Sequence, residues 1–317
     1  MSRPPLITVL CPTYNEKDHI ENILQFFVAS LPENKELFVI DGGSTDGTLD
    51  IIKKWTQKNK SIHLLHNPHK YVPHALNLAL KSSTGEIIVR LDGHTTYSDN
   101  YFEKIIDTFE KTGADIVGGP MNPKGESIIQ KAIAYSTSNW FGIGNSKFHD
   151  ITFNGYVDSV YLGAWKRSVF NEVGYFDEQL FRNQDDEFHY RAKSKGKKIY
   201  LNSEIRSTYF PRSGYIALFK QYFQYGLYKP LVIKKVRSEI KWRHIIPVMF
   251  VLYLLSLFAA ARFPLLLLPL ILYIAINIYN GFVNEQPLFV KLACLLVYPI
   301  MHVSYGIGFL AGLFKSN

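Results

Sequence analysis

The stretch ELFVIDGGSTDGTLDIIKKW, residues 36–55, contains one complete strand–turn–helix unit. Leu37 to Ile40 form an unbroken apolar run, which suits a strand covered on both faces. Asp41 closes that run. Gly42 and Gly43 let the backbone turn tightly, and Ser44, Thr45 and Asp46 are residue types that cap the start of a helix. The same alternation extends outward on both sides. LITVLCP (6–12), IHLLHN (62–67), EIIVRLDGH (86–94) and DIVGGP (115–120) read as further buried strands. Amphipathic segments near 18–30, 46–58, 73–82 and 98–111 lie between them. Apolar strands separated by helices predict an α/β architecture, a mostly parallel Rossmann-like sheet with right-handed crossovers. Ligands of such sheets bind at the carboxyl ends of the strands. Asn15 and Glu16 follow the first strand, Asp41 ends the second, and Asp92 and His94 end the fourth.

Beyond residue 120 the pattern is less regular, with helices predicted near 126–139, 166–172 and 184–195 and extended runs at 156–163 and 197–202. The last quarter is different in kind. Between Ile245 and Phe314 only Arg262, Glu285 and Lys291 carry charge. This region divides into apolar runs 245–261, 263–283 and 288–314, and a membrane span needs about 20 apolar residues. The expected organisation is a catalytic domain over 1–212, amphipathic interfacial helices over 213–244, and a transmembrane domain over 245–317 with two or three helices.

The net charge is +8, and the densest basic stretch, Lys229 to Arg243, abuts the first apolar run. That position favours anionic membrane lipids over nucleic acid, and no zinc-finger spacing or RNP-type motif is present. It also predicts that the first span starts on the cytoplasmic face, with the catalytic domain on that side. Cys11 and Cys294, one in each half, allow no disulfide framework or CxxC metal site.

Three constellations carry chemistry. Asp41 with Gly43 and Ser44 reads either as a well-made βα turn or as a carboxylate placed to accept hydrogen bonds from a base or ribose. Asp92 and His94, two apart, point to one side if the chain stays extended, and both side chains can ligate a divalent ion. Gln184-Asp185-Asp186-Glu187 places three acids at a helix start. They complement the macrodipole, or one of them serves as a general base for a hydroxyl nucleophile.

Pro12-Thr13-Tyr14-Asn15-Glu16, the Asp41–Thr48 loop, the Asp92/His94 pair and the Gln184-Asp185 stretch occur in this order in glycosyltransferase family 2, which the chain resembles. Val157 to Arg167 and Glu172 to Glu178 are similar to its succinoglycan-type branch, which builds exopolysaccharide on a lipid carrier. The resemblance implies a GT-A fold and a nucleotide-diphosphate-sugar donor, most often a UDP-sugar. Pro12, Thr13, Asn15, Glu16, Asp41, Gly43, Ser44 and Asp92 would then line the nucleotide site. Asp92 and His94 would hold Mn²⁺ or Mg²⁺ on the diphosphate, with His94 in place of the family's second acid. Asp185 would be the catalytic base, with Gln184, Glu187 and Gln221 near the acceptor or donor sugar. The implied reaction is an inverting transfer to a polyprenyl-diphosphate-linked saccharide. Transfer to a polyprenyl phosphate and a non-catalytic membrane scaffold are the alternatives.

Overall fold

The computed structural model describes residues 7–144, 146–236 and 240–315. Leu6 of the first predicted strand and residues 237–239 of the basic stretch lie outside the described residues. The chain forms two compact units. The first comprises residues 1–122 and 150–209, and the second comprises 123–149 and 210–317.

The first unit opens with β1 (Ile7–Thr13), α1 (Ile20–Ala29), β2 (Lys35–Asp41), α2 (Thr48–Lys58), β3 (Ile62–His66), α3 (Val72–Ser82) and β4 (Ile87–Arg90). It continues through β5 (Thr95–Tyr97), α4 (Tyr101–Thr112), β6 (Ile116–Gly119) and β7 (Met121–Pro123). The chain then passes through α5 (Ile128–Ser136) and α6 (Trp140–Ile143), which belong to the second unit. It returns with β8 (Gly155–Tyr156), β9 (Tyr161–Lys166), α7 (Arg167–Val173), α8 (Gln184–Ser194), β10 (Ile199–Leu201) and β11 (Ser207–Tyr209).

The main sheet has the order β3-β2-β1-β4-β9-β6-β10-β8, and a small sheet has the order β5-β11-β7. β1, β2, β3 and β4 pair in parallel, as the alternation of strand and helix predicts. β9 is inserted antiparallel between β4 and β6. Helix faces bury Ile20, Ile23, Leu24 and Phe27 from α1 and Phe102, Ile105 and Phe109 from α4 against Val9, Leu37, Val39 and Val89 of the sheet. Each such side chain contributes about 1.5–3 kcal/mol of burial. Gly119 is obligatory, since a Cβ there would lie 1.7 Å from the Ile205 carbonyl oxygen.

The second unit contains α5, α6, α9 (Tyr215–Lys235), α10 (Trp242–Ser256), α11 (Leu268–Phe282) and α12 (Leu288–Leu313). Three helical segments, Trp242–Ala259, Pro264–Phe282 and Leu288–Leu313, are long and apolar enough to cross a membrane. They match the three apolar runs of the sequence.

Two expected boundaries change. Residues 123–149, expected in the catalytic domain, pack with the C-terminal helices. Ala132 and Ile133 share a core with Val290, Ala293, Val297, Tyr298 and Met301, and Asn139 Nδ2 donates to Tyr298 Oη at 2.6 Å. Of residues 213–244, expected as amphipathic interfacial helices, Tyr215–Lys235 form one long helix, α9, and the stretch from Trp242 begins α10. α9 runs alongside α12 in the same direction, because glycines let the two backbones meet. A Cβ on Gly226 would lie 2.1 Å from Tyr305 O, one on Gly308 2.1 Å from Phe223 O, and one on Gly312 2.3 Å from Leu227 O. Small residues at a helix contact allow this approach where a larger side chain would separate the axes.

Candidate active site

The sheet register aligns the strand ends that carry the polar residues. Thr13 lies opposite Asp41, Asp41 opposite His66, and Leu10 opposite Arg90. At Asp41 the chain turns through Gly42 and Gly43, and Gly43 takes a positive φ of 86° that disfavours a side chain. One Asp41 oxygen, Oδ2, accepts from the amides of Gly43 at 2.7 Å and Ser44 at 3.0 Å. The other, Oδ1, is buried without a hydrogen-bond partner. An orphaned buried acceptor is costly, so this oxygen is suited to a ligand N–H or O–H.

The loops after β1 and β2 are stitched together. Asn15 N donates to Ser44 Oγ at 2.8 Å and Thr45 N to Asn15 Oδ1 at 2.9 Å. Glu16 N donates to Thr48 Oγ1 at 2.9 Å, and Lys17 N to Asp46 Oδ2 at 3.1 Å. Asn15 and Ser44 thus spend their polar groups on shaping this edge, and Asn15 adopts φ 54° to do so. Thr13 is buried, with its hydroxyl donating to Cys11 O at 3.1 Å. Pro12 lies within β1. Cys11 itself is a free, buried thiol, and burial pushes its pKa up to about 12.

β4 stops at Arg90, and the chain turns at Gly93 and His94 before β5. The condition that Asp92-Gly93-His94 stay extended is therefore not met. The Glu16 side chain packs so close that a Cβ on Gly93 would sit 3.0 Å from Glu16 Cγ. Glu16 Oε1 lies 3.1 Å from His94 Nδ1. Asp92, Glu16 and His94 are thus gathered around one glycine. The buried phenols of Tyr97 and Tyr161 are pushed to higher pKa by burial and then by the nearby Asp92 carboxylate. Both remain neutral hydrogen-bonding groups, and Tyr97 Oη accepts from Asp92 N at 2.7 Å.

The three acids at the start of α8 diverge. Asp185 Oδ2 accepts from Arg90 Nη1 at 2.6 Å, while its Oδ1 is buried and unpartnered. Asp186 Oδ1 accepts from Ser159 Oγ at 3.3 Å, and Ser159 Oγ lies 3.0 Å from His189 Nδ1. Glu187 is buried and chelated by Arg191, with Oε1 2.6 Å from Nε and Oε2 3.0 Å from Nη2. Arg191 also donates to the carbonyls of Val173 at 2.6 Å and Tyr175 at 2.8 Å. Glu187, expected near the bound sugars, therefore anchors the segment leading to α8. Gln184 is buried at the first turn of α8. Gln221 lies on α9 in the second unit, its Nε2 donating to Tyr225 Oη at 2.9 Å.

Arg90 is the residue the motif reading left without a role. It is buried at the end of an apolar strand, with Nε 2.9 Å from Asp92 Oδ1 and Nη1 2.6 Å from Asp185 Oδ2. Burial alone would lower its pKa, but the Asp185 and Asp92 carboxylates raise it above the ordinary arginine value. A cation ending a strand of fully buried apolar residues requires buried anionic partners, and that requirement was the available signal.

Among the described residues no three His, Cys, Asp or Glu side chains form a metal-binding group. Asp92 and His94 lie on either side of Gly93, at the turn before β5. A carboxylate on the second ring nitrogen is the usual support for a metal-ligating histidine, and Glu16 occupies that position. This donor set fits a divalent cation that takes its remaining ligands from a diphosphate.

Comparison with known proteins bears on the family and the fold. The sequence matches the family model Glycosyl transferase family 2 over residues 8–174. It is 31% identical over 242 residues to the succinoglycan biosynthesis protein ExoA of Rhizobium meliloti, covering 75% of this chain and 73% of that protein. It is 30% identical over 325 residues to a Methanococcus voltae dolichyl N-acetyl-alpha-D-glucosaminyl phosphate 3-beta-D-2,3-diacetamido-2,3-dideoxy-beta-D-glucuronosyltransferase, covering 98% of both chains. Its fold is similar to that of the mannosyltransferase PcManGT of Pyrobaculum calidifontis, solved with GDP-Man and Mn²⁺. The TM-score is 0.67 at 17% identity, over 99% of this chain and 88% of that one.

Proposed function

The chain belongs to glycosyltransferase family 2, and on that premise we propose that it is a membrane-bound inverting transferase moving a sugar from a nucleotide-diphosphate sugar to a hydroxyl of a lipid-linked saccharide. One observation carries the reading. Arg90 brings Asp92, which follows a sheet strand, and Asp185, from a helix start 95 residues away from Arg90, onto one guanidinium. Two carboxylates with separable tasks, diphosphate side and hydroxyl side, are what a single-displacement transferase requires.

In this mechanism the Asp41 Oδ1 acceptor and the knitted loops 14–17 and 41–48 hold the nucleotide, most simply a uridine. Asp92 and His94 would hold Mn²⁺ or Mg²⁺, which would neutralise charge developing on the leaving diphosphate. Asp185 Oδ1 takes the proton from the acceptor hydroxyl as that oxygen attacks the anomeric carbon from the face opposite the diphosphate. Inversion follows from the single displacement. Arg90 holds Asp185 through Oδ2 and so leaves Oδ1 to accept the proton.

A lipid-linked acceptor is supported by the Methanococcus relative, whose name specifies a dolichyl-phosphate-linked sugar as acceptor. It is supported also by the three helical segments long enough to span a bilayer. In this reading the enzyme is multi-pass, with its catalytic unit on the cytoplasmic side and its basic Lys229–Arg243 stretch against anionic lipid headgroups.

The test uses the full chain in nanodiscs with Mn²⁺ or Mg²⁺ and a panel of UDP-, GDP- and dTDP-sugars. Two acceptors are supplied in parallel, a polyprenyl-diphosphate-linked monosaccharide and a polyprenyl phosphate. The expected product is a lipid-linked disaccharide with inverted anomeric configuration. A product formed only on the polyprenyl phosphate would refute the hydroxyl-acceptor reading.

A further inference from the structure

Arg90 lies beneath both carboxylates and exposes 9% of its side chain. Its Nε and Nη1 are directed to two different acids, Asp92 Oδ1 and Asp185 Oδ2, at 2.9 and 2.6 Å. A guanidinium is planar, and its donors keep fixed mutual angles. Two carboxylates held by donors of one guanidinium therefore have their separation set by that rigid group. Asp92 follows the last residue of β4 by two positions, just before the turn at Gly93 and His94, and Asp185 follows Asn183, which takes a positive φ of 61° at the cap of α8. The helix start and the strand end come from distant parts of the sequence, and Arg90 is the side chain that both acids share.

We propose that Arg90 is a positioning residue that sets the distance between the diphosphate-side Asp92 and the base Asp185, and so fixes where the acceptor hydroxyl must attack. This rests on the assignment of Asp185 as base given above. Arg90 itself touches neither substrate in this account. It acts by leaving Asp185 Oδ1, the oxygen without a protein partner, at one place relative to the anomeric carbon. Effects of about 10²-fold from misplacement of this kind are typical. Lysine retains the charge, but as a point donor on a flexible stem it cannot hold two acids at a fixed spacing.

The experiment compares wild type, R90K, R90Q, D185N and the double variants R90K/D185N and R90Q/D185N in nanodiscs. Donor binding with Mn²⁺ is measured by titration calorimetry, and transfer is measured with radiolabelled donor. The expected result is that R90K and R90Q bind donor with Mn²⁺ within about 3-fold of wild type yet lose at least about 30-fold in kcat. In the D185N background the same substitutions should cost less than about 3-fold further, because Arg90 acts through Asp185 and contacting residues are non-additive. Running two Arg90 variants keeps the test available if one of them fails to fold. The inference is overturned if a folded Arg90 variant keeps wild-type kcat, if it loses donor affinity with kcat intact, or if its cost is undiminished in D185N. Wild-type turnover by D185N itself would refute the base assignment instead, a result separate from any of these.

Discussion

Replacing Glu187 by alanine separates a structural acid from a substrate-binding one. The Glu187 carboxylate exposes 3% of its side chain and is chelated by Arg191, which exposes 24%. Breaking a buried pair by removing one partner costs about 3–5 kcal/mol. Arg191 retains the Val173 and Tyr175 carbonyls as acceptors and is partly solvated, so about 2–3 kcal/mol is expected here. For a unit of this size that lowers the melting midpoint by about 4–12 °C. The assay is thermal unfolding of the full chain followed by tryptophan fluorescence, with acceptor KM measured on the same samples below the transition. A double variant with Arg191→Ala should cost less than the sum of the two singles, since they share one interaction. Unchanged stability in Glu187→Ala together with a raised acceptor KM would refute this reasoning and return Glu187 to the acceptor site.

Two further outcomes follow from packing and burial. Gly308→Ala and Gly312→Ala should each destabilise the second unit by about 1–3 kcal/mol through overpacking against α9, whereas Gly214→Ala, where a Cβ meets nothing within 4 Å, should be neutral in the same melting experiment. Burial holds the His189 imidazole below its ordinary pKa, with the Asp185 and Asp186 carboxylates pulling weakly the other way. The unfolded chain therefore takes up the proton first, and stability falls as the pH drops below about 6.5, by up to about 1.4 kcal/mol per pH unit. His189→Gln should flatten that slope in urea titrations at pH 5 to 7.

The parallel half of the sheet was legible because each of its strands is an apolar run followed by turn chemistry and an amphipathic helix, all within about 30 residues. Asp41 was legible for a related reason, as an acid ending a buried strand. β9 was not, because its antiparallel place between β4 and β6 depends on partners far away in sequence. The same distance hid the allegiance of residues 123–149. Ala132 and Ile133 lie within the helix predicted near 126–139, and the surface they cover, Val290 to Met301, follows more than 150 residues later. Asp92 and His94 were legible as a pair, but whether the chain between them stays extended was not. Glu16 packs against Gly93, and spacing within residues 92–94 contains no trace of that neighbour. The three acids of α8 looked equivalent in sequence. Their separate fates are decided by Arg90, Ser159 and Arg191, and only Arg191, one helical turn from Glu187, could have been paired from local spacing.

The most direct test of the central claim is turnover of a nucleotide-sugar by Asp185→Asn beside wild type, with donor affinity measured in parallel. Asparagine keeps the shape of the side chain and an oxygen for Arg90, so the fold and the donor site should persist. The account predicts divalent-dependent transfer in wild type and a loss of about 10²–10⁴-fold in kcat in Asp185→Asn with donor binding unchanged. Wild-type turnover in a variant that binds donor normally would contradict it.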